Sequence, residues 1–330
     1  MSLMPMIIFE LLADAKLNPV AARLHVGESA SSNLLPFLSK QSFPAFVARF
    51  PCFIATDLAQ RLPPDVLEAL KQSGVQTVAD DSFHPVDTTG RPDLPMGKAW
   101  LSGDWYLAPP PKTTASQSAS RALSLKLMQL VATDADTCEI EAIFRHDPVL
   151  AYHLLRLVNS LGMSPRRHIS SFSQAILILG RQQLKRWLNL MLFAASRDDP
   201  RSAMLIARVT VRARTMELLA KAVGLDRWHQ EQAFMVGMFS LLGVLFGMPL
   251  ADILVPLKLN PPLEEALLRH EGEIGQFLRC VESSECFDEA TVSELLERHG
   301  LTPEDWNLLT LEAHQWMLGA IHDQPDKRDA

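Results

Sequence analysis

The run Ala108-Pro109-Pro110-Pro111-Lys112-Thr113-Thr114-Ala115-Ser116-Gln117-Ser118-Ala119-Ser120 divides the chain into two halves with different patterns. Consecutive prolines followed by small polar residues cannot sustain a packed helix or strand. We therefore predict a linker at residues 108–120, between one domain at residues 1–107 and a second at residues 121–330. The length of 330 residues fits this division, because a domain usually takes about 100 to 200 residues.

The half before the linker alternates short apolar runs with a helical pattern. Met6-Ile7-Ile8-Phe9 and Cys52-Phe53-Ile54-Ala55 have the length and composition of strands. Residues 64–73 show helical spacing, Gly74 ends that helix, and residues 75–79 form the next predicted strand. This order predicts an α/β domain.

The half after the linker shows helical spacing and no convincing strand pattern. Gly162, Gly180, Gly224 and Gly300 each follow an apolar run and are expected to end a helix, since glycine is common just past a helix C-terminus. The sequence therefore predicts an all-α helical bundle. Apolar residues recur with helical periodicity in residues 123–131, 149–158, 175–179, 184–195, 204–223, 233–246, 263–268, 274–281 and 306–318.

Composition argues against membrane insertion and export. Hydrophobic residues make up 48% of the chain and charged residues 21%, values that are typical of globular proteins. No apolar run reaches the roughly 18 residues of a spanning helix, and the first residues lack the basic segment of a secretion signal. The four cysteines lack C-x-x-C spacing, which predicts buried thiols rather than a zinc knuckle or a redox pair. We therefore expect a cytoplasmic protein.

Charge is unevenly distributed along the predicted helical half. Residues 166–227 hold twelve Lys or Arg against four Asp or Glu, whereas residues 228–330 hold six against eighteen. Such asymmetry can mark a surface for an acidic partner such as a nucleotide. The favoured alternative is that the two segments neutralise each other within one domain. Nucleic-acid binding is not expected, because the basic segment has few aromatic residues for stacking and the whole chain has a net charge of -7.

Residues with catalytic or metal-binding chemistry do not form a recognisable set. His146-Asp147 could present a nitrogen and an oxygen to one metal ion. Asp147 precedes Pro148, however, and capping of a helix is the favoured interpretation. Several other histidines are scattered singly, and no nucleophile elbow or phosphate-binding glycine loop occurs. The sequence therefore predicts no catalytic residue, no bound metal and no cofactor.

The best acidic pair is Asp80-Asp81, directly after the predicted strand at residues 75–79. Adjacent carboxylates at a strand end can hold a divalent cation. The favoured alternative is a solvated turn in which the aspartates accept hydrogen bonds from nearby backbone groups.

Residues 121–320 resemble an HDOD (HD-related output) domain, of the kind that follows an EAL-like domain in bacterial signalling proteins. The resemblance covers most of the second half, and its blocks are specific when taken together. They are residues 146–150, 154–160, 169–171, 174–180, 181–188, 211–214 with 217–220, and Ala233-Phe234-Met235-Val236-Gly237-Met238-Phe239-Ser240-Leu241-Leu242.

The resemblance extends to the HD phosphohydrolases, which hold a metal ion with a histidine on one helix and a His-Asp pair on a later one. By this likeness the pair falls at Phe239-Ser240 and the first histidine near Arg212. A phenyl ring cannot ligate a metal, and a guanidinium is a permanent cation that would repel one. Metal-dependent hydrolysis is therefore not expected. We expect Arg212, Phe239 and Ser240 to mark a pocket in which the arginine either forms a salt bridge, the favoured alternative, or binds a phosphate.

The first half is a fainter match to EAL domains, the fold of cyclic di-GMP phosphodiesterases. Asp80 and Asp81 lie where that family has paired aspartates, and residues 100–105 resemble its closing strand segment. Ala22-Arg23-Leu24-His25 occupies the place of the signature glutamate. A half of about 107 residues is also short for an eight-stranded barrel. The resemblance therefore implies a degenerate, truncated EAL-like domain with vestigial carboxylates.

These observations favour a non-catalytic signal-transduction regulator that binds a protein partner. The first alternative is a sensor that binds cyclic di-GMP or another nucleotide without hydrolysis. The second is a residual metal-dependent HD-type phosphohydrolase, which would need at least three histidine or aspartate ligands at one site.

Overall fold

The computed structural model of the chain describes residues 4–27, 32–86, 92–110, 199–255 and 259–321. The described residues before the linker form strands and short helices, as the sequence predicts. The strands are β1 (Ile7–Ala13), β2 (Pro19–Val26), β3 (Cys52–Ala55), β4 (Gln76–Val78), β5 (Phe83–Pro85) and β6 (Trp100–Ser102). The helices are α1 (Leu35–Leu38), α2 (Ser42–Arg49), α3 (Thr56–Arg61) and α4 (Pro64–Gln72).

From residue 199 onward the described residues are helical and contain no strand, which agrees with the predicted bundle. The helices are α5 (Ser202–Ala222), α6 (Arg227–Phe239), α7 (Leu242–Phe246), α8 (Leu250–Leu254), α9 (Pro261–Arg269), α10 (Gly272–Glu285), α11 (Glu289–Arg298) and α12 (Pro303–Ile321).

The six strands form one mixed sheet in the order β4-β3-β2-β1-β6-β5. Strand β1 runs antiparallel to both of its neighbours, β2 and β6, while β2, β3 and β4 are mutually parallel and β5 is parallel to β6. Only Glu10 interrupts the apolar run of β1. Such a run is expected for a strand that is buried on both faces.

The sheet curls into a half-barrel. Strands β4 and β5 are its two edges, yet residues 79–82 are enough to join them. The rings of Phe53 on β3 and Trp100 on β6 have centroids 4.2 Å apart. Because these strands lie three positions apart in the sheet, a flat sheet would separate them by about 14 Å. The contact therefore requires strong curvature.

Apolar side chains fill the concave face of the half-barrel. Phe83 on β5 lies 5.9 Å from Trp100, measured between ring centroids. Leu12, Ala21, Phe53, Ala55 and Phe83 form one buried cluster on this face.

The convex face of the sheet packs against the helical bundle. Ile7, Phe9 and Leu11 of β1 belong to the same hydrophobic core as α5, α10 and α12. The buried side chain of Asn307 on α12 accepts a hydrogen bond from the Ile7 N–H at 2.8 Å and donates to the Pro5 carbonyl at 3.0 Å. The described parts of the two halves therefore share one core.

The elements of the structure can be compared with those predicted from the sequence pattern. The strand at residues 52–55 is confirmed, and the helix at residues 64–73 is confirmed to within one residue. The helical pattern at residues 233–246 is confirmed, and it is divided between α6 and α7 by a turn at Ser240 and Leu241. Strand β2 was not predicted, since Arg23 and His25 interrupt its apolar residues. The boundary at residues 108–120 stays a prediction, because residues 111–120 lie outside the described part of the chain.

None of the helices in the described part of the chain combines the length and apolar character needed to cross a membrane.

The close approach of α6 to α5 generates a test of the packing. An added Cβ at Gly237 on α6 would lie 2.7 Å from the Cα of Ala213 on α5, whereas one at Gly319 on α12 would meet nothing within 4 Å. We predict that Gly237→Ala lowers the free energy of unfolding by about 1–3 kcal/mol, because the backbones must separate. The control, Gly319→Ala, should raise it by up to about 1 kcal/mol through better helix propensity. Urea unfolding measures both, and a Gly237→Ala protein as stable as the parent would contradict the packing.

Candidate functional site

The structure brings Arg212 and Ser240 together. Arg212 lies in the middle of α5, and Ser240 follows the last residue of α6. The Arg212 Nη1 atom donates to the Ser240 hydroxyl at 2.7 Å, and that hydroxyl donates to the Gly237 carbonyl at 2.7 Å. Phe239 is 1% exposed and belongs to the hydrophobic core. Two of the three residues marked by the sequence are therefore in direct contact.

Two carboxylates from α10 complete the surroundings of Arg212. Its Nη1 atom lies 2.9 Å from Glu282 Oε1, and its Nε atom lies 3.0 Å from Glu285 Oε1. Its Nη2 atom bonds the second oxygen of Glu285, so that this pair is bidentate. The side chain of Arg212 is 5% exposed. The geometry favours the salt-bridge alternative over the phosphate alternative, because carboxylates already accept from all three guanidinium nitrogens.

A second arginine, Arg208, extends the network to the sheet. It lies one helical turn before Arg212, so that both project from the same face of α5. Its Nη2 atom bonds Asp104 at 2.6 Å and its Nε atom bonds the Tyr106 hydroxyl at 2.8 Å. Its Nη1 atom lies 3.8 Å from Glu285. We call Asp104, Tyr106, Arg208, Arg212, Ser240, Glu282 and Glu285 the junction network.

Electrostatics keep Glu285, Arg208 and Arg212 charged. Burial of Glu285 opposes ionisation, but the charges of Arg212 and Arg208 outweigh this effect and leave its pKa below the ordinary value. Burial acts against the charged form of each arginine, but Tyr106, Glu285 and Asp104 outweigh it at Arg208, and Glu285 and Glu282 outweigh it at Arg212, so that both pKa values are raised. Burial raises the pKa of Tyr106, which therefore stays protonated and neutral. The two arginines and Glu285 are therefore fixed charges at neutral pH.

The same pairs join the basic and acidic segments of the sequence. Arg208 and Arg212 come from the basic segment, residues 166–227, and Glu282 and Glu285 come from the acidic segment. Within the described residues these charges of the two segments therefore pair inside the bundle.

Asp80 and Asp81 are both exposed. The Asp80 carboxylate accepts a hydrogen bond from the backbone N–H of Asp57 at 3.2 Å, in the first turn of α3. The backbone carbonyl of Asp81 accepts from Lys98 Nζ. No group of three or more histidine, cysteine, aspartate or glutamate residues within the described ranges could hold a metal ion. The contacts of Asp80 are those of a turn that supports a neighbouring helix.

Sequence reasoning missed a polar cluster on the concave face. Glu10 and Arg23 are paired across β1 and β2. The Glu10 carboxylate lies 2.7 Å from His25 Nε2 and accepts from the Gly103 N–H at 2.9 Å. Burial opposes its ionisation, but the hydrogen bond and charge of His25 lower its pKa overall. The period-two alternation of Ala21, Arg23 and His25 is the signal that could have identified this inward-facing set.

The arrangement leaves the Glu10 carboxylate satisfied. Its two oxygens already accept from, or pair with, groups on two neighbouring strands, and the guanidinium of Arg23 lies 4.4 Å from the centroid of the Phe83 ring. A carboxylate so occupied supports the half-barrel rather than presenting free ligand positions.

Residue 314 is a histidine buried beneath the sheet. His314 on α12 is 4% exposed, and its ring lies 4.7 Å from that of Phe9, measured between centroids. Its Nδ1 atom donates to the Thr310 carbonyl at 2.7 Å. Burial lowers its pKa from 6.5 to about 4. The imidazole is therefore neutral at physiological pH.

Comparison with known proteins finds a family likeness for part of the chain. Residues 121–256 match the HDOD domain family, so this part of the chain is similar to that family. Its described portion, residues 199–255, includes Arg208, Arg212 and Ser240. His146-Asp147 lies in the same domain but outside the described residues.

Two curated relatives align with the chain over more residues than the family match covers. The chain is 29% identical over 204 residues to the Vibrio cholerae protein named cyclic di-GMP phosphodiesterase CdgJ. This alignment covers 60% of this chain and 46% of CdgJ. It is 32% identical over 172 residues to the uncharacterized protein YuxH of Bacillus subtilis, over 52% of this chain and 41% of YuxH. The chain thus spans less than half the length of either relative.

A solved structure also aligns with the chain. It is the crystal structure of a candidate phosphohydrolase from Shewanella amazonensis SB2B, with 15% identity over 62% of this chain and 93% of that one, and a TM-score of 0.39.

The junction network generates a first prediction. Arg212→Ala should lower the free energy of unfolding by about 3 kcal/mol or more, because it leaves the buried carboxylate of Glu285 without its bidentate partner. Arg298→Ala is the control. It removes an exposed pair with Glu294, whose side chains are 52% and 64% exposed, and should cost less than about 0.5 kcal/mol. Denaturant unfolding of both variants measures the difference, and equal small losses would show that the network adds no stability.

His314 generates a second prediction. The unfolded chain binds a proton at this histidine below about pH 6.5, whereas the folded chain does so only near the lowered pKa of about 4. Stability should therefore fall as the pH drops through this window, by up to about 3 kcal/mol. Unfolding measured at pH 7, 6 and 5 should show a steeper decline for the parent than for His314→Gln. Parallel declines would mean that His314 titrates normally in the folded protein.

Proposed function

We propose that the chain, through its HDOD domain, is a non-catalytic signal-transduction regulator that acts by binding a protein partner. The junction network carries this proposal. By resemblance, Arg212, Phe239 and Ser240 stand where related phosphohydrolases hold metal ligands. A cation, a core phenyl ring and a hydroxyl bonded to that cation do not make a metal-ligand set.

The concave face of the half-barrel supports the same proposal. Hydrolysis of a cyclic dinucleotide needs an accessible site with several carboxylate ligands for metal ions. Here the aromatic rings of Phe53, Phe83 and Trp100 pack together in the interior. The inward-facing carboxylate, Glu10, is held by His25 and the Gly103 N–H. We propose that this half is a degenerate EAL-like domain, and that Asp80 and Asp81 are vestigial.

The signalling context comes from a relative. CdgJ of Vibrio cholerae is named a cyclic di-GMP phosphodiesterase. This name supports a place for the present chain in cyclic di-GMP signalling. The same name also supports the alternative function, a nucleotide sensor that binds cyclic di-GMP without hydrolysis. A residual HD-type phosphohydrolase would have to draw its ligands from residues outside the described ranges, such as His146 and Asp147.

Two assays on the purified chain separate these functions. The first follows hydrolysis of cyclic di-GMP with Mg²⁺ or Mn²⁺, with CdgJ as the positive control. The second follows thermal stability during titration with cyclic di-GMP, where a ligand at a hundredfold excess over its Kd would add about 2.7 kcal/mol. We predict no hydrolysis and no shift. A saturable shift without turnover would favour the sensor, and metal-dependent turnover would refute the non-catalytic proposal.

A further inference from the structure

A small cavity lies where the sheet meets the bundle. It has a volume of about 40 Å³, and residues of β1, α5, α10 and α12 line it. From the sheet side Ile7, Phe9 and Leu11 contribute an apolar wall. From the helices come several polar side chains, among them Thr215 and Trp306. The cavity is therefore apolar on one side and polar on the other.

Two of these polar groups have no hydrogen-bond partner among the residues that the structure describes. They are the Thr215 hydroxyl and the Trp306 indole N–H, and both residues are 1% exposed. A buried donor without an acceptor costs free energy, so that such groups usually bond ordered water when protein atoms do not reach them. Both residues line the cavity.

His314 adds an acceptor to the same wall. Its Nδ1 atom is 2.7 Å from the Thr310 carbonyl oxygen. Because a carbonyl oxygen can only accept, Nδ1 must carry the proton and Nε2 must carry a lone pair. The wall thus offers an indole donor, a hydroxyl that can donate and accept, and an imidazole acceptor.

Size decides which ligand class fits these groups. A site for a metabolite is usually about 300 Å³ or larger, whereas one water molecule needs about 10–15 Å³ of such volume. The volume of about 40 Å³ therefore suits about two or three waters. We propose that this cavity is a built hydration site, in which ordered waters bridge Thr215, Trp306 and His314 at the junction of the two halves. This inference does not depend on the proposed function.

Two threonines on α5 provide a matched test. Thr210 also has a buried hydroxyl without a partner within the described ranges, but it does not line the cavity. Valine has nearly the shape of threonine and a similar helix propensity. If the cavity holds no water, Thr215→Val and Thr210→Val each remove an unsatisfied hydroxyl, and both should raise the Tm. In a hydrated cavity only Thr210→Val should raise it, because Thr215→Val takes a hydrogen-bond partner from a water.

We expect the Tm of Thr215→Val to lie at or below that of the parent, and about 2–4 °C below that of Thr210→Val. Equal increases for the two variants would overturn the proposal. Crystals of the full chain pressurised with xenon give a second, independent measurement. Ordered water within hydrogen-bond distance of Thr215 Oγ1 and Trp306 Nε1 would support the proposal. Xenon in the cavity would show that the cavity is dry and apolar, and would overturn the proposal.

Discussion

The carboxylate of Glu285, held between two guanidinium groups, is the interaction on which the junction of sheet and bundle depends. An ion that is removed from water must be paired, or it costs several kcal/mol. Glu285 meets this requirement with Arg212, and Arg208 extends it to Asp104 and Tyr106 in the turn after β6. Each charge therefore fixes the position of the next. Helices α5 and α10 and the end of the sheet are held in one arrangement.

Under the proposed function, the same constraint explains how a metal-ligand position becomes a structural one. A metal site needs neutral or anionic ligands with free lone pairs. Arg212 offers none, and it makes nearby carboxylates partners for itself rather than for a cation. Under the proposed function, replacement of a ligand by arginine would remove metal binding and strengthen the joint between the halves at the same position. Communication between the halves would then pass through a rigid set of charges.

Local patterns in the sequence were sufficient for the fold class of both described parts, because helical spacing and short apolar runs report directly on burial. Arg212 and Ser240 were marked by resemblance rather than by periodicity. The structure places these two residues in contact, and their role stays a prediction. The partners of Arg212 were not predictable, since Glu282 and Glu285 lie about seventy residues away and look like surface charges in the sequence. Glu10 was missed for a similar reason, because its partner His25 is brought near only by the pairing of β1 with β2.

The short edges of the half-barrel have a consequence for how the protein behaves in concentrated solution. Open sheets expose unpaired backbone groups at their edges and can recruit a strand from another molecule. Strands β4 and β5 are three residues long each, and the connection through residues 79–82 holds them near each other. Neither edge offers a length of backbone that would template an intermolecular ladder. A sheet that stops well short of a complete barrel is in this way protected against aggregation without closing fully.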